Sequence, residues 1–173
     1  MNPIARYLKD IEKQLATGRA TEHTHRPALQ ALVDAMRKNA VATNEPTRVA
    51  CGAPDFIVAL DGVTVGYIEA KDIGENLDQV ERTAQLARYL EGLPNLILTD
   101  YLEFRLYHAG EFVMEARLAR IAPEGKLRPN KDGERELNSL FDAFFSAQFP
   151  EMATPNDLAA RMAAKARLLR EVI

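Results

Sequence analysis

Three charged residues stand where a β-sheet would bring them together: Asp55, Glu69 and Lys71. Pro54-Asp55 opens a β-rich run over 55–60, and a second run over 63–70 leads into Glu69-Ala70-Lys71. Asp61-Gly62 between the runs is a strong two-residue hairpin signal. Strand side chains alternate faces, so Glu69 and Lys71 point the same way, and the paired strand brings Asp55 beside them. Two carboxylates and an ammonium at strand ends can hold a divalent cation and a water against a phosphodiester. Mg²⁺ takes hard oxygen ligands and commonly one or two carboxylates, which Asp55 and Glu69 supply, with the Ala70 carbonyl as a further ligand. Such a cation lowers the pKa of its water, and Lys71 would hold that water or stabilise the transition-state charge. The alternative is plain: Asp55 begins a strand, and Glu69 and Lys71 are solvated strand-end charges.

Gln85 and Tyr89 lie four residues apart on the next helical stretch and so share a face. That face would pack near the strand ends, where Gln85 could bind phosphate or the water and Tyr89 a backbone phosphate. An exposed amide and a half-buried tyrosine on an amphipathic helix would look the same. Glu22, in Thr21-Glu22-His23-Thr24-His25-Arg26-Pro27, is a candidate auxiliary metal ligand; a first-turn acid facing the helix dipole is the other reading. His23, His25 and Arg26 form a small polar cluster without zinc-ligand spacing.

The elements that must position these residues follow from periodicity. Ile4, Tyr7, Leu8, Ile11 and Leu15 predict a helix over 3–17 after the cap Asn2-Pro3. A second helix is expected from 21–24 to about 40, with Leu29, Leu32, Val33 and Met36 on one face and Pro27 in its first turn. A short extended piece at 48–51 and the 55–70 hairpin come next. One helix over 77–90, a doubly covered strand at 95–99, and a second hairpin over 103–107 and 111–118 follow. The order helix, helix, β, β, helix, β, β, β predicts an α/β (α+β) domain, a mixed sheet with helices against it. The expected organisation is a core over 1–120, a Pro- and Gly-containing loop or linker over 121–133, and a helical connector over 134–173. The connector includes a helix over 154–173 with an uncovered apolar stripe.

The chain has 173 residues, 47% hydrophobic and 27% charged, enough for one domain with a sizeable core. No apolar run approaches the length of a membrane span, and one cysteine, Cys51, excludes an internal disulfide and suits a cytoplasmic location. The formal net charge of −3 is awkward for a DNA-binding protein, which replaces phosphate counterions with Lys and Arg. It implies that most of the grip on nucleic acid would lie elsewhere.

Pro54-Asp55, Glu69-Ala70-Lys71 and Gln85-x-x-x-Tyr89 together resemble the PD-(D/E)xK nuclease superfamily, in the branch with the Q-x-x-x-Y helix motif. The wording around them, including Thr21–Leu29, Cys51–Phe56, Gly66–Lys71 and Leu93–Tyr101, is similar to the N-terminal nuclease domain of single-chain Type ISP and Type IIG-like restriction-modification enzymes. The resemblance covers roughly residues 20–118, with no departure at the motif positions. It implies a restriction-endonuclease-like fold and a Mg²⁺-dependent endodeoxyribonuclease, for which Mn²⁺ can substitute, yielding a 5′-phosphate and a 3′-hydroxyl. Asp55, Glu69, Lys71 and Gln85 would be catalytic; Asp55, Glu69 and the Ala70 carbonyl, with Glu22 as an auxiliary, would bind metal; Gln85 and Tyr89 would meet DNA.

It further implies double-stranded DNA as partner, and translocase, methyltransferase and target-recognition domains that 173 residues cannot hold. ATP and S-adenosylmethionine would act through those domains, and double-strand cutting would need a second nuclease domain. The uncovered stripe over 154–173 agrees with a piece of a longer chain. Two other classes stay open: a free-standing repair-type nuclease, whose last helix a dimer would cover, and a catalytically silent docking module. The intact Asp55, Glu69 and Lys71 set argues against the silent module.

Overall fold

The computed structural model describes residues 2–18, 20–44, 49 and 51–148, without the side chain of Glu22. Helix α1 spans Pro3–Leu15; the Asn2 side chain accepts from the Ile4 N–H at 2.9 Å, and Ile4, Tyr7 and Ile11 form its buried face. Helix α2, Glu22–Met36, starts where the Thr24 hydroxyl accepts from the Thr21 N–H at 3.1 Å. It ends four residues before the expected point. Arg37 turns extended, Asn39 takes a φ of 65°, and the chain reverses into strand β1, Ala40–Asn44. Asp34 and Gln30 of α2 then hold the Ala42 N–H and C=O at 2.7 and 2.8 Å.

Strands β2 (Phe56–Leu60) and β3 (Val63–Ala70) form the expected hairpin, with Asp61 and Gly62 at φ 51° and 78°. The crossover to β4 (Asn95–Thr99) is two helices rather than one: α3, Leu77–Val80, and α4, Ala84–Gly92. Thr83 makes the break. Its hydroxyl accepts from the Leu86 N–H at 3.2 Å and donates to the Val80 carbonyl at 2.8 Å, so it closes one helix and caps the next. Strands β5 (Glu103–His108) and β6 (Glu111–Arg117) complete a six-stranded sheet in the order β1-β2-β3-β4-β5-β6. Every pairing is antiparallel except β3 with β4. All five residues of β4 are buried, as a strand covered on both faces should be.

Part of the expected linker over 121–133 is ordered structure. Strands β7 (Ala119–Ile121) and β8 (Leu127–Pro129) pair into a separate hairpin, and helix α5, Gly133–Ser146, follows. Helix α5 packs back onto the sheet beside α1 and α2. Leu137, Leu140, Phe141 and Phe144 are buried with Tyr7, Phe104 and Ile97 in one continuous core. A Cβ on Gly66 of β3 would stand 2.4 Å from the Phe144 ring, so the seat of α5 depends on that missing side chain. The boundary expected at residue 120 therefore does not coincide with a break in packing. A second core of Leu77, Val80, Leu86, Tyr89, Leu96 and Tyr107 covers the other face. The expected piece at 48–51 is described at Val49 and Cys51; Val49 bridges to Gly52 in a closed turn outside the sheet. Residues 154–173 lie outside the described residues. Among the described residues no helix is long and apolar enough to cross a membrane.

Candidate active site

The register that pairs Phe56 with Ile68 places Asp55 opposite Glu69, one step beyond. The Asp55 side chain is tied to β3 as well: the Ala70 N–H donates to Asp55 Oδ2 at 2.8 Å. Glu69 is 3% exposed. Its Oε1 receives Lys71 Nζ at 2.7 Å and Gln85 Nε2 at 3.1 Å, while Oε2 is buried and accepts no hydrogen bond among the described residues. Burial first, and the charge of Asp55 second, push the Glu69 carboxyl from its ordinary value of 4.5 up to about 7, against the pull of Lys71. An orphaned oxygen on a buried carboxylate is an expensive arrangement unless something polar or charged completes it.

Gln85 and Tyr89 share a face of α4 as their spacing requires, and that face lies on the β3 end. Tyr89 is 2% exposed, and its hydroxyl meets Gln85 Nε2 at 3.3 Å, so the ring orients the amide that binds Glu69. Gly52 makes room for it: a Cβ there, at a φ of 146°, would stand 2.8 Å from the Tyr89 ring. The structure thus brings Asp55, Glu69, Lys71, Gln85 and Tyr89 into one cluster. Glu22 is the first residue of α2, and its side chain lies outside the description. His23 is exposed. His25 is buried, with Nδ1 at 2.7 Å from Gln14 Oε1 and its ring 5.2 Å from that of Tyr101. Burial lowers its pKa, opposed by Asp72.

The residue missed by sequence reasoning is Arg26. Its Nη2 pairs with Asp55 Oδ1, while Nη1 reaches Asn44 Oδ1 at 3.4 Å; the two side chains are 7% and 14% exposed. Arg26 thus fixes one oxygen of Asp55 and the Ala70 N–H the other. A signal existed. Arg26 precedes Leu29 and Val33 at steps of three and four, so it occupies a position on the apolar face of α2, where a cation needs a buried partner.

The donor set suits a hard cation. It offers two carboxylates, with Glu69 Oε2 buried and without a partner among the described residues, and a backbone carbonyl; among the described residues no group of three or more His, Cys, Asp or Glu that could hold a metal ion is found. So few hard oxygen ligands would fit Mg²⁺, which keeps several waters, rather than zinc.

Among solved structures the chain is similar to a cryo-EM structure of a DrdV–DNA complex. The TM-score is 0.65 and the identity 23%, over 86% of this chain and 14% of that one. This chain therefore corresponds to a small part of that protein's length. No protein-family model matches the chain, and no curated protein matches it. At this identity the likeness speaks for the architecture: an α+β fold with a six-stranded mixed sheet flanked by helices, consistent with restriction endonucleases.

Proposed function

We propose that the chain is a Mg²⁺-dependent endodeoxyribonuclease domain, the cleavage module of a larger restriction-modification enzyme, hydrolysing phosphodiesters to a 5′-phosphate and a 3′-hydroxyl. The observation that carries the reading is Glu69: a buried carboxylate with one oxygen bound by Lys71 and Gln85, the other without a partner among the described residues, directly across from Asp55. Asp55, Glu69 and the Ala70 carbonyl would hold the cation, in which Mn²⁺ can replace Mg²⁺. When bound, such a cation would supply an activated water and neutralise charge on the scissile phosphate. Lys71, 19% exposed at the rim, places an ammonium where charge develops in the transition state. Gln85 keeps Glu69 oriented and presents the rest of its amide to solvent, where it can hold the water or a phosphate oxygen. Arg26 keeps Asp55 in position.

Similarity to a chain solved with DNA supports double-stranded DNA as the substrate, and the 14% share of that chain supports a larger assembly. Translocase, methyltransferase and target-recognition domains would supply ATP and S-adenosylmethionine chemistry and sequence choice. A second nuclease domain would cut the other strand.

The test is plasmid nicking in Mg²⁺ by the parent chain beside Lys71→Ala and Asp55→Ala, with Mn²⁺ affinity measured by calorimetry on the same samples. The reading expects nicking to vanish in both variants and Mn²⁺ affinity to fall in Asp55→Ala. Equal residual nicking in all three, with unchanged Mn²⁺ affinity, overturns it.

A further inference from the structure

Between Arg117 and Lys131 the chain carries Arg117, Arg120, Lys126, Arg128 and Lys131, all exposed, against one acid, Glu124. That concentration stands out in a chain of formal net charge −3. The β7–β8 register sets Arg120 directly opposite Arg128. Opposite residues in an antiparallel pair project from the same face, where like charges repel. Nothing in the hairpin itself answers that repulsion fully. Arg128 has Glu124 at 2.7 Å, an exposed pair that exchanges readily for another anion, while Arg117 is held by the buried Glu103. Arg120 has no ion pair among the described residues.

The patch lies at the same end of the sheet as the candidate active site: Ala70 pairs with Thr99, Thr99 with Phe104, and Glu103 with Arg117. A cavity of about 320 Å³ is lined by Gly74 and Glu75 from the loop after Lys71, by Asp100 and Glu103 at the β4–β5 turn, and by Arg117 and Arg120. Separate hydrogen bonds tie the segments at this end of the sheet to one another: Lys71 N–H to the Thr99 carbonyl at 2.8 Å, Gly74 N–H to Asp100 Oδ2 at 3.1 Å, and Leu118 N–H to the Leu102 carbonyl at 2.8 Å. The acids on its wall are mostly committed. Asp100 accepts from the N–H groups of Gly74, Leu102 and Glu103, and Glu103 binds Arg105 and Arg117, which leaves Glu75 exposed.

We infer that the β7–β8 hairpin with Arg117 is an arm for the phosphate backbone of double-stranded DNA, gripping phosphates next to the one presented to Glu69 and Lys71. The inference takes its ligand from the nuclease reading above. Contacts of this kind replace condensed counterions, so each one steepens the salt dependence of binding by about 0.9 in the log–log slope. Two arginines account for a slope difference of about 1.8. Between about 50 and 200 mM salt, the parent would then lose about twelvefold more affinity than a variant lacking both.

The experiment measures binding of a labelled DNA duplex to the full chain by fluorescence anisotropy in EDTA, which prevents cleavage, across that salt range. The proteins are the parent, Arg120→Ala/Arg128→Ala, Glu75→Gln and, as a control cation on α1, Lys9→Ala. All four positions are exposed, and matching melting temperatures verify folding. The expected result is weaker binding with a shallower slope in the double variant, tighter binding in Glu75→Gln, and the parent's slope in Lys9→Ala. Parent-like slopes in the double variant overturn the arm, while nicking that still depends on Lys71 leaves the nuclease reading standing. A parent that neither binds duplex nor nicks plasmid overturns both.

Discussion

Replacing Arg26 by methionine removes one partner of a buried ion pair and leaves the other in place. Breaking such a pair costs about 3–5 kcal/mol, because an uncompensated charge stays behind. Here Asp55 is 14% exposed and keeps its hydrogen bond from the Ala70 N–H, so the lower end applies, about 3 kcal/mol. Urea unfolding in EDTA at pH 7.5 measures it, with an unchanged m-value showing that both states keep their compactness. Arg26→Met/Asp55→Asn removes both charges, and its stability should return to within about 1 kcal/mol of the parent, which exposes the coupling as a double-mutant cycle. The same substitution leaves two carboxylates facing one cation, Lys71. Added Mg²⁺ should therefore raise the stability of Arg26→Met by more than that of the parent, in proportion to its tighter binding. A single variant within about 0.5 kcal/mol of the parent, or a double variant no better than the single, refutes the idea that Arg26 holds Asp55.

Three further outcomes are expected. Glu69 has a raised folded pKa, so its contribution is present below its ordinary value of 4.5 and is lost as pH rises through about 7; the change is about 3 kcal/mol. Glu69→Gln should flatten that part of the stability–pH profile, and a variant that tracks the parent from pH 4.5 to 8 contradicts the assignment. Gly66→Ala drives a methyl to 2.4 Å from Phe144 and should cost about 3 kcal/mol in urea unfolding, partly recovered by adding Phe144→Leu; a neutral Gly66→Ala would mean that α5 is not seated there. Tyr89→Phe deletes the hydroxyl that orients Gln85 and should lower kcat for nicking about fivefold, equivalent to about 1 kcal/mol, with KM unchanged. A raised KM with kcat intact would instead mean that Tyr89 touches DNA.

What could be read from the sequence was whatever short-range patterning dictates. Asp61-Gly62 marked the hairpin and a four-residue step put Gln85 and Tyr89 on one face, but the turn alone would set Asp55 opposite Ile68; the register shift at Val58/Ala59 moves it to Glu69, and no short-range pattern announces that shift. Strand β1 was hidden because Ala40–Asn44 is short, alanine-rich and contiguous with a helical pattern; Asn39, at a φ of 65°, makes the reversal. Thr83 sits in a run whose apolar period continues across it, so its double use as stop and cap does not show in periodicity. The aromatic stripe of α5 announced a buried face but not its destination, which depends on a glycine in β3, far away in the chain. Arg26 and Asp55 are 29 residues apart, and the pairing exists only once α2 lies on the sheet. Long-range partners are set by packing, and a single sequence names one half of each.

The single parallel pairing, β3 with β4, has a kinetic consequence. The β2–β3 hairpin can form from neighbouring residues, and it suffices to set Asp55 across from Glu69. Gln85 and Tyr89 ride on the crossover that must close before β4 can align with β3. Closing such a segment loses chain entropy ahead of any reward from strand pairing, which makes it a late event in folding. The nascent chain would carry its carboxylates together early and gain the amide and ring that orient them last, so that closing the sheet and finishing the site are one step.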